Sequence, residues 1–129
     1  TLSLHDALPI STPIKNAIKE PFESAVFSTR FDGIIFSYSL HHTANPGENI
    51  RKALTLLAPG GKMLILEIAT KNAFWRWLTY RNKLLCWSHT HDWTKGELKE
   101  LIGSSGGTIT RRISYRINAE LFIIEAPHA

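Results

Sequence analysis

Ser37, His41 and His42 stand close together in this chain of 129 residues, just after the apolar run Ile34-Ile35-Phe36. A serine hydroxyl can donate and accept hydrogen bonds, and a neutral imidazole can take a proton near pH 7. If the run is a strand of an open α/β sheet, its carboxyl end is where such sheets bind ligands. A second group, His89-Thr90-His91-Asp92, superficially offers metal ligands. Two histidines two apart need further ligands and a fitting geometry, so no metal is expected. Cys86 is the single cysteine, which rules out an intramolecular disulfide framework and a cysteine-rich zinc site.

The elements that must hold these groups follow from the apolar pattern. Residues 34–36 and 63–66 are apolar on consecutive rather than alternate positions, which suits strands covered by helices on both faces and therefore running parallel. The first of these two strands is expected over 32–38. Asn45-Pro46-Gly47-Glu48 then starts a helix: Asn45 can cap it, Pro46 suits the first position, and Glu48 completes a capping box. Ile50, Ala53, Leu54 and Leu57 recur at i, i+3, i+4 and i+7 and form one buried stripe. Pro59-Gly60-Gly61 is expected to stop the helix and turn the chain into the next strand.

Upstream, 12–18 reads as a short strand and its exit, and Glu20-Pro21-Phe22-Glu23-Ser24 as a loop. Downstream, Thr94 and Glu97 match a Thr-x-x-Glu capping box opening a helix that buries Leu98, Leu101 and Ile102 and ends at Gly106-Gly107. Residues 108–115 alternate, residues 121–124 form a buried run, and the short link between them suits an antiparallel pair.

Composition is that of a globular protein, with 43% hydrophobic and 20% charged residues, and no apolar run nears the roughly 20 residues of a membrane span. A cytoplasmic protein is expected. Net charge is +4 and the isoelectric point near 9.4, but the basic residues form no dense block or nucleic-acid motif, so no nucleic-acid partner is expected. Residues 1–10 match one frame of a common short-read sequencing adapter and are set aside as non-native read-through. The domain is expected over 11–129.

Residues 31–42 and 57–67 closely resemble the class I S-adenosylmethionine (SAM)-dependent methyltransferases, of the type 11-like group. In that family the fourth and fifth strands commonly carry F-D-x-I-x-x-S-x-x-L-H-H and L-x-P-G-G-x-L-x-I-x-E. The resemblance covers about residues 15–127. It implies the carboxyl-terminal half of a Rossmann-like α/β sheet: two parallel strands and an antiparallel hairpin whose final strand is inserted between the fifth and sixth, with flanking helices. It also implies SAM as cofactor. Asn16-Ala17, with Pro21-Phe22 following, is similar to the family's [D/N]-A-x-x-x-P-F segment. The resemblance assigns Asn16 to the adenine amino group and the Ala17 N–H to an adenine ring nitrogen. An asparagine suits that role because its amide both accepts and donates, although a loop-capping Asn beside a packing Ala is the alternative.

The same resemblance places Ser37 near the methionine part of the cofactor, unless it merely ends the strand. It makes His42 the candidate for orienting the methyl acceptor or removing its proton, the alternative being a histidine bonded to backbone where the helix begins. The family's N-P-P-Y, common where amide or nucleobase nitrogens are methylated, is replaced here by Ser37-Tyr38-Ser39-Leu40. A small-molecule or lipid acceptor is therefore expected. Residues 74–87 can form an amphipathic helix with Trp77, Tyr80, Leu84 and Trp87 at helical spacing. It could be a lid over an acceptor pocket, a peripheral membrane contact, or an ordinary packed helix.

The family's glycine-rich loop and the acidic residue that binds the ribose do not occur in this sequence. The expectation is a partial domain whose 32–38 strand, the family's fourth and normally interior, becomes a sheet edge, which self-associates and does not bind SAM measurably by itself. Two other readings remain: a degenerate, non-catalytic association module, and a short-chain NAD(P)-linked reductase. The latter needs Tyr-x-x-x-Lys, whereas Tyr80 and Lys83 are one residue too close.

Overall fold

The computed structural model describes residues 2–3, 18–70, 74, 77, 93–114 and 119–126. In chain order the described elements are β1 (Leu2–Ser3), β2 (Phe31–Ser37), a 3-10 turn (Leu40–His42), α1 (Pro46–Leu56), β3 (Leu57–Thr70), β4 (Trp93–Thr94), α2 (Lys95–Ser104), β5 (Thr108–Ser114) and β6 (Ala119–Glu125). The strands form one sheet in the order β1-β2-β3-β6-β5, with β4 paired to β3.

β2 and β3 run parallel, with Ile34 opposite Met63 and Ser37 opposite Leu66. β6 lies antiparallel between β3 and β5, which is the inserted-strand hairpin expected above. Two short strands join the expected set. Leu2–Ser3, within the stretch set aside above, pairs in parallel with Ile34 and Ile35. Trp93–Thr94 pairs in parallel with Ala69 and Thr70. Of the expected strand at 12–18, residues 12–17 lie outside the described residues, and Ile18 is not in a strand.

Ile34 and Phe36 of β2, Met63 and Ile65 of β3, and Phe122 and Ile124 of β6 point to one side of the sheet. There they pack with Ile50 and Ala53 of α1, Leu57 at the start of β3, and Leu98 and Ile102 of α2 in a single core. Burying each large aliphatic side chain stabilises the fold by about 1.5–3 kcal/mol. On the opposite side Ile35, Leu64, Leu66 and Ile123 are half-buried. Both described α-helices therefore sit on one face, where the consecutive apolar residues suggested cover on two.

The helix ends repeat the sequence signals unequally. At α2 the box is complete: Glu97 N–H donates to Thr94 Oγ1 at 3.2 Å and Thr94 N–H to Glu97 Oε1 at 3.0 Å. At α1 Pro46 takes the first position, but the Asn45 side chain makes no cap bond, and Glu48 pairs instead with Arg51 one turn on. Pro59-Gly60-Gly61 is not a free turn. α1 ends at Leu56 and the chain enters β3 at once. The step from Phe31 to Gly33 on β2 faces the longer step from Leu57 to Lys62 on β3, so the three residues form an irregularity inside the ladder. Gly60 has φ 75°, and a Cβ on Gly61 would lie 2.8 Å from the Ala58 carbonyl oxygen. Only glycine meets both demands cheaply.

Candidate functional site

The site lies where β2 ends. Parallel pairing brings the carboxyl ends of β2 and β3 to the same edge of the sheet, so the turn after Ser37 faces Glu67. Ser37 is the last residue of β2 and half-buried. Tyr38 has φ 53°, a left-handed backbone that costs a non-glycine residue of order 1–3 kcal/mol, and its N–H donates to Leu66 O at 2.8 Å. Ser39 follows with a buried Oγ that has no hydrogen-bond partner among the described residues.

Leu40–His42 then forms the 3-10 turn, anchored by fully buried Leu40. His41 is buried, and its Nδ1–H donates to Oε1 of Glu67, a carboxylate with no exposed surface. The His41 backbone N–H reaches Glu67 Oε2 at 3.3 Å. One carboxylate thus holds both the ring and the backbone of the turn, fixing the imidazole's tautomer and orientation. His42 is exposed, with its ring centroid 4.0 Å from that of His41.

The structure therefore brings Ser37 and His42 to one end of the sheet, while Asn16 and Ala17 lie outside the described residues. Sequence reasoning missed Glu67 as the partner of His41. The motif L-x-I-x-E contains it, but only the strand register joins two residues 26 apart. Among the described residues no group of three or more His, Cys, Asp or Glu could hold a metal ion. Of residues 74–87, Phe74 and Trp77 are helical and exposed, with ring centroids 6.4 Å apart; the remaining residues lie outside the description. No described helix is long and apolar enough to cross a membrane.

The edge-lying site, the parallel pair and the inserted antiparallel strand define a class I methyltransferase fold. The sequence model of the methyltransferase-domain family matches residues 2–106, and the chain belongs to that family. Among curated proteins it is 27% identical over 92 residues to the protein named "Uncharacterized protein YafE" of Escherichia coli K12, covering 70% of this chain. The chain spans 44% of that relative's length.

Solved structures share the fold. A putative methyltransferase from Bacillus halodurans C-125 superposes with a TM-score of 0.70 at 14% identity, over 84% of this chain and 70% of that one. The SAM-dependent methyltransferase SibL gives 0.68 at 14% identity, over 84% of this chain and 35% of that one. Magnesium protoporphyrin IX methyltransferase from Synechocystis PCC 6803, solved with S-adenosylhomocysteine (SAH), gives 0.58 at 14% identity, over 83% and 49%.

Proposed function

We propose that this chain supplies the acceptor side and the adenine side of a SAM-dependent methyltransferase site that methylates a small-molecule or lipid acceptor in the cytoplasm. The observation that carries the reading is the parallel β2–β3 pair, whose carboxyl ends bring Ser37, Ser39, His41, His42 and Glu67 together. The orphaned Ser39 hydroxyl fits a polar ligand at this edge. Family membership and the SAH complex of a structural relative support SAM as that ligand.

Bound SAM supplies a methyl group already activated by its sulfonium, so the protein's share is alignment and exclusion of water. Asn16 and the Ala17 N–H would hold the adenine, and Ser37 the methionine part. Glu67 fixes His41 and thereby the turn that presents His42. His42 would orient the acceptor or take its proton at an imidazole nitrogen.

The test uses the product of the complete gene, methyl-labelled SAM, and metabolite and lipid extracts. Label is expected in one extractable acceptor. His42→Ala should lower kcat by about 10²–10³ and leave SAH affinity within about threefold. No labelled product and no SAH binding would overturn the reading in favour of an association module. Full activity in the variant would remove His42 from the mechanism.

A further inference from the structure

Glu67, which holds the 3-10 turn, stands directly opposite a second carboxylate, Glu120 of β6, in the β3–β6 ladder. Glu67 continues the alternation of Met63 and Ile65, and Glu120 that of Phe122 and Ile124, so both rise from the helix-covered face, and both are fully buried. Side chains at opposed positions leave the sheet about 4.5–5.5 Å apart at Cβ, and like charges there repel. The two carboxylates are bonded in opposite directions. Glu67 receives the ring and backbone N–H groups of His41, on the β2 side, and the Ile68 N–H at 2.9 Å. Glu120 receives Arg112 Nε and Ser114 Oγ from β5, the latter at 3.0 Å, and Lys95 Nζ from α2 at 3.0 Å. Lys95 comes from the Glu67 side of this pair: it follows Thr94, which pairs with Thr70, three residues beyond Glu67 on β3. Its side chain is only 14% exposed.

We propose that Glu120 is a positioning residue for the turn that carries His41 and His42: by holding Lys95 and Arg112 it keeps both cations off Glu67 and leaves that carboxylate to the turn. A cation stripped of its anion in a buried setting is costly, and Glu67 is the one other buried carboxylate among the described residues. Without the charge on Glu120, Lys95 and Arg112 therefore draw Glu67 toward β6, and the same loss removes the repulsion that turns Glu67 toward His41. Both effects release the turn. The inference rests on the functional reading above only in the role it gives His42.

A graded series tests it in the 129-residue chain: Glu120→Gln, then E120Q with Lys95→Met, then both with Arg112→Met. The readout is solvent exchange of the His41 backbone and ring N–H protons, with the Met63 and Ile65 amides of β3 as controls. Exchange at His41 is expected to be about tenfold faster than in the parent in E120Q, slower again in the double variant, and within about threefold of the parent in the triple variant. A residue that only braces the hairpin predicts the reverse order, since each further substitution loosens the cluster. Unchanged exchange in E120Q, or exchange that rises along the series, overturns the proposal, and the comparison of double with triple variant decides it even where E120Q does not fold. In the product of the complete gene, transfer of label from methyl-labelled SAM into the extract should fall about tenfold in E120Q, as expected if the fraction with His42 in place falls to about a tenth, and recover in the triple variant at unchanged SAH affinity. A parent that transfers no label overturns the functional reading, while the exchange series still decides whether Glu120 sets the turn.

Discussion

Ser39 holds a buried hydroxyl that no group among the described residues answers. Leaving a buried donor unpaired costs about 1–3 kcal/mol, so Ser39→Ala is expected to raise unliganded stability by about 1 kcal/mol, read as a higher urea midpoint at unchanged slope. A drop in the midpoint would show that the hydroxyl is already satisfied. At this scale the sequence disclosed the residue types but not their pairings. Ser37, His41 and His42 were visible as a cluster, and the choice between the histidines fell on the exposed one. What separates them is Glu67, which lies on another strand and becomes a neighbour only through the β2–β3 register. The strain at Tyr38 leaves no mark in composition, because a tyrosine ordinarily argues against a left-handed backbone.

Elements with short-range signals were the most readable. Thr94 and Glu97 lie three apart and make the reciprocal box their types promise, and Ile50, Ala53 and Leu57 face the core as their spacing implies. Pro59-Gly60-Gly61 misled because its role depends on a partner strand: a loop signal became an irregularity within a ladder.

The β5–β6 hairpin carries an equally nonlocal feature. Glu120 is buried and receives Arg112 Nε, Lys95 Nζ at 3.0 Å and Ser114 Oγ at 3.0 Å. Burial pushes its carboxyl up, but the bonds from Arg112, Lys95 and Ser114 and the Arg112 charge outweigh it, and the group is held below its ordinary 4.5. A carboxyl lowered on folding stabilises the native state above its unfolded value, and that contribution is lost as pH falls through the folded value. Urea midpoints should therefore decline on acidification below about pH 4.5. Glu120→Gln should flatten that decline and cost about 1–3 kcal/mol at neutral pH, since Lys95 and Arg112 lose their anion.

Over the whole molecule, fold class was legible because the parallel pair follows from runs of apolar residues, while the inserted strand was implied by the family resemblance. The two-residue strands β1 and β4 were not, being too short for any periodicity. Phe74 and Trp77 stand exposed one turn apart, with Arg76, Arg81 and Lys83 nearby in sequence. That combination suits an anionic bilayer surface. The 129-residue chain is expected to co-sediment with vesicles containing phosphatidylserine, and a Phe74→Ser, Trp77→Ser double variant to lose about tenfold in partitioning, each aromatic supplying buried apolar area. Equal partitioning of the two would remove this segment from any membrane role.

β6 follows every other described element in the chain, yet it lies between β3 and β5. During synthesis the centre of the sheet must therefore stay open until residues 119–125 have left the ribosome. Until then β3 and β5 each offer a bare ladder to the cell, so the nascent polypeptide passes through an aggregation-prone interval that a chaperone would need to shield.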